Sequence, residues 1–225
     1  MSRKRDRAIV LLSGGLDSCV TAAIAHENYD VALLHANYGQ RTERRELRAF
    51  AQIADHYGVE RRLIVNLEYL LKIGGSSLTD ESIPVPHAGD ANPERIPNTY
   101  VPFRNTHLIA VAVSWGEVTG ARKVFIGAIE ADSSGSPDCR RRYFEIYDHL
   151  IEAGTRPETR IEIETPLIDL TKEEIVRKGM KLKAPLHLTW SCYSNEDVAC
   201  GHCESCMLRL KGFKAAGIPD PIPYI

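Results

Sequence analysis

Arg7-Ala8-Ile9-Val10-Leu11-Leu12-Ser13-Gly14-Gly15-Leu16-Asp17-Ser18 is the stretch that decides the fold. Its aliphatic run, dense in Ile, Val and Leu, reads as a strand buried on both faces of a parallel sheet. Two glycines end the run. Helix formers follow from Ser18 to Glu27, with an apolar face at Val20, Ala23 and Ile24. A buried strand that enters a helix through a glycine turn is the start of a βαβ unit.

The rest of the chain repeats that rhythm. Asp30 to Asn37 is a second apolar run. Gln40 to Tyr57 is charged on one side and carries Leu47, Phe50, Ile53 and Ala54 on the other, which predicts an amphipathic helix. Arg61–Val65, Lys123–Ile129 and Ile161–Thr165 are further strand candidates, and Tyr143–Ala153 a further helix. Arg104 to Val118 is apolar nearly all round, which predicts a buried helix. Thr171 and Glu174 have the spacing of an N-cap and its capping box. The pattern predicts an α/β fold: a five-stranded parallel sheet with helices on both faces. In such sheets ligands bind beyond the carboxyl ends of the strands. Ser13–Ser18, Asn37–Arg41 and Glu130–Arg140 all follow predicted strands and should meet there.

One segment breaks the rhythm. Residues 72–103 hold Gly74-Gly75-Ser76-Ser77 and five prolines, at 84, 86, 93, 97 and 102. Neither a helix nor an inner strand tolerates that density, so a functional loop over a substrate is expected. The domain reading is 1–185 for a nucleotide-binding unit and 186–225 for a small C-terminal unit.

Composition excludes several classes. The 225 residues are 44% hydrophobic and 26% charged, which rules out a disordered chain or a disulfide-dense miniprotein. With 28 basic and 30 acidic residues the net charge is −2, which gives no electrostatic footprint for nucleic acid. The basic start Ser2–Arg7 reads as a solvated terminus. No apolar run approaches the ~20 residues of a membrane span, and no secretory h-region follows the start. A cytoplasmic protein is therefore expected, and its six cysteines need a reason other than disulfides.

Four of the six, Cys192, Cys200, Cys203 and Cys206, fall close together near the C-terminus. Four thiolates at this spacing suit one tetrahedral ion, with structural zinc the expected metal. Cys19 reads as core. Cys139, after the fourth strand, is placed near the site. At the other end, Leu12-Ser13-Gly14-Gly15-Leu16-Asp17-Ser18 suits an anion. Its glycines let the backbone approach, its helix N-terminus offers free N–H groups, and its serines add hydroxyl donors. Asp17 is odd in an anion site unless a cation such as magnesium bridges it to phosphates. The loop is neither GxxxxGK[ST] nor GxGxxG.

Ser13–Ser18 resembles the pyrophosphate loop of the PP-loop ATP pyrophosphatases. Taken with Asn37-Tyr38-Gly39-Gln40-Arg41, Ser82–Pro86, Ile96–Asn105, Gly135–Arg140, Thr189–Tyr193 and Cys200–Cys206, the chain resembles the QueC family of 7-cyano-7-deazaguanine synthases over nearly its whole length. Ser136 stands where an aromatic residue is expected, and Phe103 where a small one is. The resemblance implies ATP-dependent conversion of 7-carboxy-7-deazaguanine and ammonia into a nitrile. On that reading Ser13, Gly14, Gly15, Asp17 and Ser18 hold the ATP phosphates, Asp17 through magnesium. Arg104 meets a carboxylate or phosphate, Asp132 and Asp138 meet the purine-like edge or magnesium, and Lys172 reaches a phosphate. The chain has no room for a glutaminase domain, so free ammonia is expected, with no stable nucleic-acid or membrane partner. The proline-rich end, Gly217 to Pro223, cannot be helical and is expected to pack on a neighbour in a homodimer.

Overall fold

The computed structural model describes residues 5–86, 95–130 and 135–225. Its elements run β1 (Arg7–Leu11), α1 (Leu16–Asn28), β2 (Asp30–Asn37), α2 (Glu43–His56), β3 (Arg62–Asn66), α3 (Tyr69–Ile73), α4 (Arg104–Thr119), β4 (Ala121–Phe125), α5 (Arg141–Gly154), β5 (Glu162–Glu164), α6 (Lys172–Lys181) and α7 (Glu204–Ala216). The five strands among the described residues form one parallel sheet in the order β3-β2-β1-β4-β5. The chain winds outward from β1 to β3, then returns to place β4 on the other side of β1. That reversal makes the junction of β1 and β4 the topological switch point, where a crevice opens.

Alternation along β1 shows why the sheet is covered twice. Ala8 and Val10 face a core built with α1, α2, α6 and α7 residues, including Phe50, Ile53, Ile175 and Phe213. Ile9 and Leu11 face the other core, with Ile109, Val113, Phe144 and Ile151 of α4 and α5. The capping box at the start of α6 is present: Thr171 N donates to Glu174 Oε2 at 2.8 Å, and Glu174 N to Thr171 Oγ1 at 3.3 Å.

Three expectations need correction. Helix α4 is buried on one face only, through Asn105, Ile109, Ala112, Val113 and Gly116, while Val118 is 81% exposed. A single sheet face has room for one stripe of the helix, whatever lies on the rest of it. β4 ends at Phe125, four residues early, and β5 keeps only three residues. Beyond Phe125, Ile126 N still donates to the Glu164 carbonyl at 3.0 Å, and Gly127 and Ala128 then border the crevice. Finally, the proline-rich end packs on its own chain. Ile222 is buried against Trp190 and the cysteines, Tyr224 bridges to Ala199, and Asp220 pairs with Arg209. The tail therefore gives no argument for a second copy. Within residues 186–225, Phe213 and Ala216 of α7 pack into the core beneath α1 and α6.

Candidate active site

Between the carboxyl ends of β1 and β4 lies a cleft of about 330 Å³. One wall is the glycine loop. Gly14 takes φ +93°, and a Cβ there would stand 2.7 Å from the Glu46 carbonyl oxygen and 2.8 Å from the Ala49 Cβ. Only glycine lets the loop sit this close against α2. The Gly14 carbonyl accepts from the Trp190 N–H at 2.9 Å, so the C-terminal segment braces the loop from behind. Ser13 Oγ and Ser18 Oγ lie 3.1 Å apart, and Ser13 Oγ also accepts from Gly15 N. The loop then becomes the N-terminus of α1, whose unpaired N–H groups and dipole favour an anion. Leu12 and Leu16 border the cleft, yet their side chains are in the core, so their contribution is backbone.

Asp17 forms a two-pronged charge pair with Lys172, each carboxylate oxygen accepting from Nζ at 2.9 Å. The Asp17 carboxylate is thus engaged by an ammonium group at the mouth of the anion loop. Lys172 is held there by α7. A Cβ on Gly212 would stand 2.5 Å from Lys172 Cγ and 3.0 Å from its carbonyl oxygen.

The opposite wall carries Arg104, at the first position of α4. Its Nη1 donates to the Tyr38 hydroxyl at 2.8 Å, and its guanidinium carbon lies 5.3 Å from the Tyr38 ring centroid. Tyr38 raises the Arg104 pKa above its ordinary value, with Asp138 adding to the effect against the opposing one of burial. The Arg104 Nε is buried and has no hydrogen-bond partner among the described residues. A buried charged donor left unpaired is costly, and a ligand acceptor in the cleft could satisfy it. Phe103, just before it, has φ +59°, a left-handed backbone that explains why a small residue is expected there.

Asp138 and Cys139 line the cleft as well. Asp138 Oδ2 accepts from the Asn105 N–H at 3.0 Å and so caps α4, which leaves Oδ1 to face other partners. The Asn105 Nδ2 donates to the Asp138 carbonyl and to Cys139 Sγ. Burial pushes the Cys139 thiol up to about 11, the wrong direction for a resting nucleophile. Cys19 is wholly buried, as expected of core, and pushed up to about 12 by burial. Asp132 lies outside the described residues.

Several cleft residues were given no role from sequence. Glu46 accepts from Thr42 Oγ1 at 2.9 Å and from Gln40 Nε2 at 3.1 Å, and burial pushes its carboxyl up against those bonds and the Arg104 charge. Tyr193, beside Cys192, also lines the cleft. Tyr38 and Gln40 belong to a segment expected at the site; Glu46 sits one turn into an amphipathic helix, where nothing in the pattern separates it from a surface acid. Arg41 lines the cleft too. Its guanidinium donates to the carbonyls of Ser77, Asp80 and Ile83 at 2.7, 3.0 and 2.9 Å. That clamp folds the proline-rich loop inward so that Thr99, Tyr100 and Val101 reach the cleft.

Behind the glycine loop, the Sγ atoms of Cys192, Cys200, Cys203 and Cys206 all lie within 4.8 Å of one another, in buried surroundings. A tetrahedral ion with metal–sulfur bonds of about 2.3 Å sets its sulfurs about 3.8 Å apart; Cys200 and Cys206 are at 4.0 Å. Backbone N–H groups of Ser194, Asn195 and Cys200 point at Cys192 Sγ. Hydrogen bonds from Cys203 and Cys206, then from the backbone, hold that thiol below its ordinary range. The four residues could hold one metal ion.

The model of the family described as queuosine biosynthesis protein QueC matches residues 7–217. The chain belongs to the QueC family. Among curated QueC relatives, it is 59% identical to the 7-cyano-7-deazaguanine synthase of Chloroherpeton thalassium over 97% of this chain and 96% of the relative. It is 56% identical to that of Acidobacterium capsulatum over 100% and 99%. Membership of QueC places the protein in queuosine biosynthesis, as a synthase with small-molecule substrates. Two solved structures are more remote. The U34-tRNA thiolase NcsA of Methanococcus maripaludis, with its [4Fe-4S] cluster, matches at TM-score 0.46 and 18% identity, over 81% of this chain and 59% of that one. NAD+ synthetase of Burkholderia pseudomallei matches at 0.47 and 13%, over 96% and 75%. At such values neither likeness bears on substrate or cofactor. No helix among the described residues is long and apolar enough to cross a membrane.

Proposed function

We propose that the cleft uses ATP to convert 7-carboxy-7-deazaguanine and ammonia into 7-cyano-7-deazaguanine. The observation that carries this reading is the pairing of the two walls. An anion loop at Ser13–Ser18 faces Arg104, a buried guanidinium with an unpartnered Nε. One wall suits the phosphates, and the planar fork of the other suits a carboxylate.

A carboxylate resists attack because oxide would have to leave. Transfer of an adenylyl or phosphoryl group from ATP to a carboxylate oxygen gives a mixed anhydride and releases pyrophosphate or ADP. Ammonia then attacks the carbonyl carbon, and the oxygen leaves on AMP or phosphate, giving the amide and a proton. A second activation at the amide oxygen, followed by loss of the N–H protons, expels that oxygen too and leaves the nitrile. The chain's part is to hold two anions together and offset their repulsion. Arg104 holds the carboxylate, the α1 N-terminus and Ser13 and Ser18 hold phosphate oxygens, and Asp17 orients Lys172 toward them. Magnesium bound to ATP supplies further charge neutralisation. Residues 1–185 supply this machinery, and 186–225 brace it with a zinc ion on the four cysteines. A cytoplasmic setting would keep those thiols reduced.

Mass spectrometry of the small molecules after adding ATP, ammonium and the acid tests the reading. Nitrile is expected, with amide as a transient. Turnover of ATP without either product, or none at all, would refute it and leave a nucleotide sensor. Activity on tRNA in place of the free deazapurine would point to an RNA-modifying ligase.

A further inference from the structure

The substrate just proposed carries its recognition groups in sequence around one edge: the 7-carboxylate, the 6-oxo group, then the N1–H and 2-amino donors. The first two suit a guanidinium. The last two form a pair of parallel donors, and the side chain that accepts both is a carboxylate. Among the described residues the carboxylates lining the cleft are Asp17, Glu46 and Asp138. Asp17 is engaged by Lys172, and Asp138 gives one oxygen to the start of α4.

Glu46 differs from both. Each of its oxygens accepts one neutral side-chain donor, Thr42 Oγ1 on Oε1 and Gln40 Nε2 on Oε2, so each retains acceptor capacity. Those two bonds also fix its plane. Gln40 is itself held, because its Oε1 accepts from the Tyr38 N–H at 2.9 Å. Tyr38 in turn holds Arg104, so one short segment sets both ends of the ring-reading wall. The Glu46 carbonyl abuts Gly14, which ties this wall to the phosphate loop.

We infer that Glu46 is the specificity-determining residue of this cleft, its carboxylate accepting from the N1–H and 2-amino groups of a guanine-type ring. The inference rests on the function proposed above. A site built to accept a donor rejects the analogue that lacks it, because its own polar group is then left unpaired.

The test compares 7-carboxy-7-deazaguanine with its analogue lacking the 2-amino group, in the natural protein and in Glu46→Gln. The natural protein should favour the amino-bearing acid by at least about 100-fold in kcat/KM. In Glu46→Gln that preference should fall to within about 10-fold, with KM for ATP changed by less than about 3-fold. The ratio of two substrates in one preparation cancels any loss of folded protein. A Glu46→Gln enzyme that keeps the full preference overturns the inference while leaving the reaction intact. A raised KM for ammonium with the preference unchanged also overturns it, and assigns Glu46 to the nitrogen donor. If the natural protein forms nitrile from neither acid, the function itself has failed, and the inference with it.

Discussion

Arg104 enters α4 with one side of its guanidinium committed to Tyr38 and its Nε buried without a partner. Replacing it by lysine keeps the charge and loses the fork, so Arg104→Lys should lower kcat/KM for the deazapurine acid by about 100-fold, with KM for ATP little changed. Steady-state kinetics in each substrate checks this; an equal loss for ATP would move Arg104 to the phosphates. Cys139 makes the opposite prediction. With its thiol near 11, its thiolate fraction at neutral pH is about 100-fold below that of a thiol at 9. Peptide mapping should show slow alkylation at pH 7 and a steep rise toward pH 11. Cys139→Ser should keep turnover within a few-fold, and loss of all activity would assign it a nucleophile's role instead. At this scale the glycine loop and the cysteines were legible from sequence, because their chemistry is local. The Tyr38–Arg104 bond and the Asp138 cap were not, since each joins residues far apart in the chain, and Glu46 was not, since in an amphipathic helix it reads like any surface acid.

At the scale of elements, two contacts carry the site. Gly212 lets α7 lie against the start of α6, where Lys172 reaches Asp17. Gly212→Ala should cost about 1–3 kcal/mol by overpacking, about 2–10 °C in Tm, and should raise KM for ATP through a displaced Lys172. Thermal unfolding and ATP kinetics on one variant read both. Arg41 is the other contact. Without its three bonds the carbonyls of Ser77 and Ile83 lose the Arg41 donor and that of Asp80 keeps only the Ile83 N–H, so Arg41→Ala should speed proteolysis near Ile83–Pro86 and raise KM for the acid. An unchanged cleavage pattern would show that the loop holds itself. The strand order along the chain and helices α1, α2, α4, α5 and α6 could be read from hydrophobic period, and the capping box from two residues, whereas α3 and α7 were not foreseen. The lengths of β4 and β5 could not, because they depend on where neighbouring strands part. Nor could the half-exposure of α4, because an apolar pattern does not say how much of a helix its sheet can cover.

For the whole molecule, the C-terminal segment is a brace. Arg209 and Asp220, with side chains 1% and 4% exposed, form a two-pronged pair that also binds Thr189, Ser191 and Tyr224. Trp190 then carries that order to Gly14. Asp220→Ala should cost about 3–5 kcal/mol by stranding the arginine. Stripping the metal should lower Tm and weaken ATP binding together, which calorimetry on apo and zinc-restored protein can follow; intact ATP affinity in the apo protein would uncouple the brace from the loop. The claim on which all scales converge is that the cleft makes both oxygens of a carboxylate leave on nucleotide-derived products. Labelling the acid with ¹⁸O in both carboxylate positions and examining AMP or phosphate by mass spectrometry tests it directly. The account predicts one labelled oxygen delivered in each of two activations. Nitrile formed with the label released only into water would contradict it.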